Sequence, residues 1–258
     1  MQSNIVHTIM FGLFSKKKHN DSTLFYATDV HCHILPGVDH GAQTIEDSLT
    51  MLRAEKEMGI NRVVLTSHVT AETFENTPET LRPAFELLKQ AVAETEDLRD
   101  MQLFLSAEYR IDEFWSKQYE QNNQMAMPGN FILMENSFHQ ELLGLDNLLF
   151  DLRVKGYYPI LAHPERYGYY AQRHQRLEQL HNMGIKFQIN LLSLAGYFGS
   201  HCRETALWMA KNGMIDMLGS DMHGMEHVKV IKSYINSKEW RKLVPTIQSH
   251  IINDLVRD

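Results

Sequence analysis

Tyr26-Ala27-Thr28-Asp29-Val30-His31-Cys32-His33 is a short, largely apolar run that stops on two histidines, and its form recurs along the chain. Six more such runs follow, at residues 62–68, 103–108, 131–135, 159–163, 187–190 and 217–223. Six of the seven end on a residue able to bind a metal: His33, His68, Glu108, Glu135, His163 and His223. Parallel strands closed into a barrel gather their C-terminal ends at one mouth, where these residues would converge. The pattern therefore predicts a multinuclear metal site.

The segments between the runs read as helices. Residues 44–58 place Ile45, Leu49, Leu52 and Met58 close to one helical face, and Gly59 stops them. Thr77 before Pro78 and Glu79 reads as an N-cap with proline in the first turn, opening a helix over 78–96. Further helices are expected near 112–121, 141–155, 172–183, 202–212 and 228–241, with a last one over 245–256. Gly59, Gly156, Gly184 and Gly213 each sit just before a strand-like run, where a helix C-cap belongs. Seven alternations predict an α/β barrel with helices outside. A doubly wound open sheet would instead collect its ligands in a single crevice.

At 258 residues and 43% hydrophobic content, the chain can form one barrel domain, expected over residues 26–258. Residues 1–25 read as a loosely ordered leader, with Met10 a second candidate start. There Ile9-Met10-Phe11-Gly12-Leu13-Phe14 precedes Lys16-Lys17-Lys18, the reverse of a signal peptide's order. This run supports marginal membrane contact at most, not stable insertion. A net charge of −7 argues against nucleic acid as the main partner. Cys32 and Cys202 make neither a disulfide framework nor a CxxC site, so a reducing cytoplasm is the expected compartment.

His31 and His33, two apart on a strand, share one face while Cys32 takes the other. Asp221 and His223 repeat that spacing at the last strand end, and His68, Glu108, Glu135 and His163 supply the ends between. Buried ionised carboxylates are costly unless paired or bound to a cation, so a purely structural role fits this company poorly. Ligands of mixed imidazole and carboxylate type suit manganese, iron or zinc.

The order HxH, then Pro36-Gly37-Val38-Asp39-His40-Gly41, Thr66-Ser67-His68, Ala107-Glu108, Glu135, Ala162-His163-Pro164-Glu165-Arg166-Tyr167 and Ser220-Asp221-Met222-His223 resembles the PHP (polymerase and histidinol phosphatase) superfamily. Within it the chain most resembles the bacterial manganese-dependent protein-tyrosine phosphatases of capsule and exopolysaccharide operons. The resemblance spans residues 28–228. It implies a distorted (β/α)7 barrel of PHP type carrying a trinuclear site at the strand C-termini.

By position it implies one metal on His31, His33, Glu108 and Asp221. A second would share Glu108 and take Glu135 and His163, and a third would use Asp39, His68 and His223. The resemblance favours manganese. It implies catalytic roles for Glu108 and Asp221 through the metals and for Arg166 as a phosphate contact. The implied substrate is a phosphotyrosine protein, a bacterial tyrosine autokinase governing polysaccharide export, with oligomeric state left open.

The chain departs from the pattern where the family reads Val-Asp-Asp-Gly. His40 stands there and is read as solvent-facing rather than a ligand. Some relatives carry a second arginine soon after the last motif. Here Gly224-Met225-Glu226-His227-Val228 has none. Tyr167, Tyr169, Tyr170, Tyr197 and Phe198 would lie on mouth-side loops, either walling an aryl ring or packing the loops.

Two other functions compete: a PHP phosphoesterase for a small molecule such as histidinol phosphate, and an amidohydrolase-type metal hydrolase. The second commonly carries a modified lysine where Glu135 stands. Cysteine-dependent phosphatase chemistry is excluded, since neither cysteine is followed by arginine six residues on.

Overall fold

The computed structural model describes residues 23–257. The apolar-then-lysine run and nearly all of the expected leader lie outside them. Seven strands pair in chain order, every pair parallel: β1 Thr28–Cys32, β2 Arg62–Val69, β3 Gln102–Arg110, β4 Phe131–Glu135, β5 Tyr158–Ala162, β6 Lys186–Asn190 and β7 Met217–Gly219. The sheet curls into a nearly closed barrel. Strand periodicity sorts its two faces. Val64, Leu133, Ile160, Ala162 and Met217 fill the interior, and Val256 plugs the floor beside them. Val63, Leu65, Ile132, Leu161, Phe187, Ile189 and Leu218 point outward under the helices.

The first strand breaks this alternation. Between the pairs Asp29–Val63 and Cys32–Leu65, β1 uses three steps against two on β2, a β-bulge. The extra residue lets Val30 join the interior while Cys32 still faces the outer core. His31 and His33 are left together on the inner side, where both meet Glu108 and Asp221.

The helices are α1 Ile45–Glu57, α2 Pro78–Glu94, α3 Glu113–Glu120, α4 Leu145–Val154, α5 His174–Asn182, α6 Leu191–Leu194, α7 Ser200–Lys211, α8 Met225–Ile235 and α9 Lys238–Ile247. Thr77 caps α2 as expected, and Thr44 caps α1 through a reciprocal pair with Asp47. Gly59, Gly156, Gly184 and Gly213 all have positive φ, as helix-terminating glycines should.

Two expectations fail at the C-terminal end. The helix expected over 228–241 divides at Asn236, because Ser237 accepts from Trp240 N and starts α9. The separate helix expected over 245–256 does not form: α9 ends at Ile247, and the last part is a short 3-10 turn, Asn253–Leu255, beneath the barrel. Likewise α4 begins at Leu145 rather than near 141, since Gly144 adopts φ 85° there.

Between β1 and β7 the seam is closed without a regular ladder. At the mouth, Asp221 N donates to His31 O (2.8 Å) and His33 N to Met222 O (3.0 Å). One layer down, Asp29 accepts from Ser220 N (3.1 Å) and Ser220 Oγ (2.6 Å). At the floor the fully buried Asn253 stands in for a strand. Its Oδ1 accepts from Leu218 N (2.9 Å), and its Nδ2 donates to Thr28 O (2.8 Å) and Leu218 O (2.7 Å).

Candidate metal centre

The inward positions at the strand tops bring the expected ligands together. Among the described residues, four trios have ligand atoms within 4.8 Å of one another: His31/His33/Asp221, His31/Glu108/His163, His68/Glu108/Glu135 and His33/His68/His223. Glu108 is the hub. Its Oε1 lies 2.8 Å from His163 Nε2, and its Oε2 lies 2.9 Å from His68 Nδ1 and 3.5 Å from His31 Nε2. His163 and Asp221 reach the cluster from left-handed backbone, at φ 33° and 47°.

Asp39 is placed differently from the set in which it was expected. His33, not Asp39, stands with His68 and His223. The turn after β1 folds back tightly, with Gly37 N donating to Ala42 O and Ala42 N to His33 O. This brings Asp39 behind the His33 ring, where Oδ2 meets His33 Nδ1 (2.9 Å) and His68 N (3.1 Å), and Oδ1 accepts from Gly41 N (2.8 Å). A Cβ at Gly41 would lie 2.0 Å from His33 O, so only glycine allows this return.

Donor and acceptor roles follow from the carboxylates, which when ionised only accept. Asp221 Oδ2 accepts from Asn190 Nδ2 at 2.6 Å, so Asn190 Oδ1 must accept from Gln188 Nε2 at 2.9 Å. Gln188 Oε1 then faces His31 Nδ1 at 2.7 Å, which puts the proton on Nδ1 and a lone pair on Nε2. Asp39 fixes His33 in the same tautomer. Gly219 leaves room for this chain, since a Cβ there would come within 2.7 Å of His31 Cβ and 2.6 Å of Gln188 Nε2.

The two Nε2 atoms, both with lone pairs outward, lie 3.3 Å apart, and Asp221 Oδ1 is 3.5 Å and 3.3 Å from them. Lone pairs and carboxylates pointed at one volume suit a cation. His223 Nε2 is buried without a hydrogen-bond partner among the described residues, as an open ligand atom would be.

The electrostatics of the cluster point the same way. Burial opposes charge on His31, yet Glu108 and Asp221 hold it up to about 9, so a proton takes the place a cation would fill. Burial and the neighbouring Glu108 push Glu135 up to about 8. Burial pulls His163 down to about 4, and Arg166 adds to this.

Above the cluster opens a cavity of about 390 Å³, lined by His68, Glu108, Glu135, His163, Asp221 and His223 together with His40, Thr70, Thr73, Phe74, Arg110, Phe138 and Arg166. A larger hollow of about 1020 Å³ under residues 139–147 shares none of the clustered residues, and its Arg176 is already paired with Glu141 and Asp146.

Arg166 reaches the cavity as expected, with Nη1 3.0 Å from Asp221 Oδ2 and its guanidinium 4.1 Å from the Phe198 ring. His40 is exposed at the rim, its ring 4.5 Å from that of His223 and outside the four trios. The tyrosines resolve toward loop packing. Tyr167 and Tyr170 are buried, and the Tyr167 hydroxyl donates to Ala162 O and accepts from Asn136 N. The aromatic walls are Phe74 and Phe138 instead.

Gln188, Asn190 and Arg110 belong to the site and were not expected there. Strand spacing carries the signal for each, because Arg110 follows Glu108 by two, and Gln188 and Asn190 are two apart at the end of β6.

The sequence profile of the capsular polysaccharide synthesis family CpsB/CapC matches residues 27–242. Over 199 residues the chain is 31% identical to the tyrosine-protein phosphatase YwqE of Bacillus subtilis, covering 77% of this chain and 78% of that protein. It is 26% identical to the tyrosine-protein phosphatase CpsB of Streptococcus pneumoniae over 205 residues, 77% of this chain and 83% of that one. A chain from the crystal structures of YwqE from B. subtilis and CpsB from S. pneumoniae, described as unique metal-dependent tyrosine phosphatases, superposes with a TM-score of 0.74. Identity there is 27%, covering 89% of this chain and 93% of that one.

Proposed function

The chain belongs to the capsular polysaccharide synthesis family CpsB/CapC, and from that premise we propose that it is a metal-dependent protein-tyrosine phosphatase. The observation that carries this reading is the run of four ligand trios, joined through the shared residues His31, His33, His68 and Glu108, beneath a cavity that Arg166 enters.

Three divalent ions, manganese first among them, fit the donor set. One would be held by His31, His33, Glu108 and Asp221, and a second by Glu108, Glu135 and His163. The third would sit at His68 and His223 beside His33, with Asp39 bracing the back of that ring. When bound, the ions supply charge neutralisation and Lewis acidity for displacement at phosphorus.

The protein's own groups do the positioning. The Asp221–Asn190–Gln188–His31 chain keeps the His31 ring in one tautomer and aims it into the site. Asp39 does the same for His33. Arg166, seated on Asp221, directs its guanidinium over the cavity, where its planar fork matches phosphate oxygens. A tyrosyl oxygen, with a pKa of about 10, leaves with less help from a proton than an alkyl oxygen does. The substrate we propose is a phosphotyrosine protein, more finely a bacterial tyrosine autokinase of polysaccharide export, met in the cytoplasm. Among the described residues no helix is long and apolar enough to cross a membrane.

The test is hydrolysis of a phosphotyrosine peptide, beside histidinol phosphate, by metal-stripped protein with manganese restored. Peptide hydrolysis that returns with manganese and vanishes in Glu108→Gln supports the reading. Activity confined to histidinol phosphate would move the enzyme to small-molecule metabolism. No phosphatase activity in fully loaded protein would sink it.

A further inference from the structure

Three side chains from successive strand ends form an arc along the cavity: Arg110 closes β3, Phe138 follows β4 and Arg166 follows β5. The Phe138 ring centre lies 5.5 Å from the Arg110 guanidinium carbon and 5.0 Å from that of Arg166, so one ring is flanked by two cations. The two arginines are held alike. Arg166 rests on Asp221 Oδ2, and Arg110 rests on Glu135 Oε2 through Nε at 2.7 Å.

Each therefore leans on a carboxylate of the ligand cluster. For Arg110, Nε makes that bond, and among the described residues neither Nη1 nor Nη2 meets a protein acceptor. An arginine anchored by its inner nitrogen, with its outer edge open to a cavity, is preset to fork two oxygens of an oxyanion such as phosphate. Among the described residues no arginine or lysine lines the far side of the cavity. His227, in the segment where some relatives carry a second arginine, instead accepts from His223 N through Nδ1 at 3.2 Å.

We propose that Arg110 is a second phosphate-binding residue, gripping the phosphate of a phosphoaryl substrate together with Arg166 while Phe138 between them meets its ring. The aryl part rests on the phosphatase reading. The phosphate part does not, because inorganic phosphate alone can test it.

The measurement is calorimetric titration of inorganic phosphate into the manganese-loaded full chain, as wild type, Arg110→Ala and Arg110→Lys, with metal content counted by mass spectrometry. Loss of a charged hydrogen-bonding pair predicts phosphate binding about 10- to 100-fold weaker in Arg110→Ala at unchanged metal content. Arg110→Lys should recover only part, since a point charge lacks the fork. On phosphotyrosine peptide both variants should raise KM, and Phe138→Ala should raise it more for an aryl than for an alkyl phosphate.

Two results would overturn the assignment. One is phosphate affinity equal to wild type in Arg110→Ala. The other is a loss that follows the loss of one metal per chain and is fully restored with it in Arg110→Lys, which would leave Arg110 as a prop for Glu135. A wild type that binds phosphate yet hydrolyses no phosphotyrosine peptide would refute the proposed function, and the same variant comparison would still decide Arg110.

Discussion

Replacing Gln188 with leucine interrupts the side-chain relay that runs from His31 through Gln188 and Asn190 to Asp221. Leucine is close in shape but carries neither Oε1 nor Nε2. Two fully buried groups lose their partners: the His31 Nδ1 proton, now 2.7 Å from Gln188 Oε1, and Asn190 Oδ1, now 2.9 Å from Gln188 Nε2. The His31 ring is then free to move its proton to Nε2, which cannot bind a metal in that state.

One orphaned buried donor costs about 1–3 kcal/mol, a factor of about 5 to 150 in an equilibrium constant. Loss of hydrogen bonds behind metal ligands weakens affinity by about 10- to 100-fold. Both routes put the manganese dissociation constant of Gln188→Leu at least several-fold above wild type. The assay is activation of metal-stripped enzyme by titrated manganese, with bound metal counted after gel filtration. Asn190→Leu acts on the same chain, so the double variant should lose less than the sum of the two singles. A folded Gln188→Leu protein that binds manganese within twofold of wild type would show that the chain does not set the His31 tautomer.

Without metal, His31 at about 9 and Glu135 at about 8 both stand above their ordinary values of 6.5 and 4.5. Groups raised in this way stabilise the fold at low pH and lose that contribution as pH climbs through the folded value. His163, pulled down from 6.5 to about 4, acts in the opposite sense chiefly between those two values and opposes the trend little above pH 6.5. The melting-temperature gap between loaded and stripped protein should therefore widen from pH 6.5 to 9, and a gap that stays flat would contradict the electrostatics. Asn253→Ala strands Leu218 N, Leu218 O and Thr28 O at the buried seam, a cost of about 3 kcal/mol. For a chain of this size that lowers the melting temperature by about 6–12 °C in calorimetry, and an unchanged value would deny the side chain its closing role.

The strand ends were legible because the ligating residues that terminate the runs also mark the mouth of the barrel. Helix ends before Gly59, Gly156, Gly184 and Gly213 were legible because positive φ at those points selects glycine. The β1 bulge was not, since the run from Tyr26 to His33 reads equally well with strict alternation. Only the pairing of Asp29 and Cys32 with β2 exposes the extra residue. Asn253 was unreadable for another reason: its partners are more than 30 residues away, and an asparagine near a C-terminus has no local pattern that announces a strand substitute. Gln188 and Asn190 carry no ligand signal in the sequence, because neutral amides are weak ligands beside imidazole and carboxylate, although their spacing places them facing inward. Motif order alone groups Asp39 with His68 and His223, while the turn at Gly41 directs its carboxylate to the back of His33.

His163 and Asp221 hold the ligand cluster from backbone that glycine or asparagine would adopt with less strain, at about 1–3 kcal/mol apiece. Natural selection for an intact fold and selection for an intact reaction therefore pull these two positions in opposite directions. A lineage relieved of the reaction should lose its histidine and aspartate here before it loses core residues, and should melt higher for having done so. The same bias would act in a laboratory library screened for heat resistance alone, where the hardiest clones would be enriched in barrels that have abandoned their chemistry.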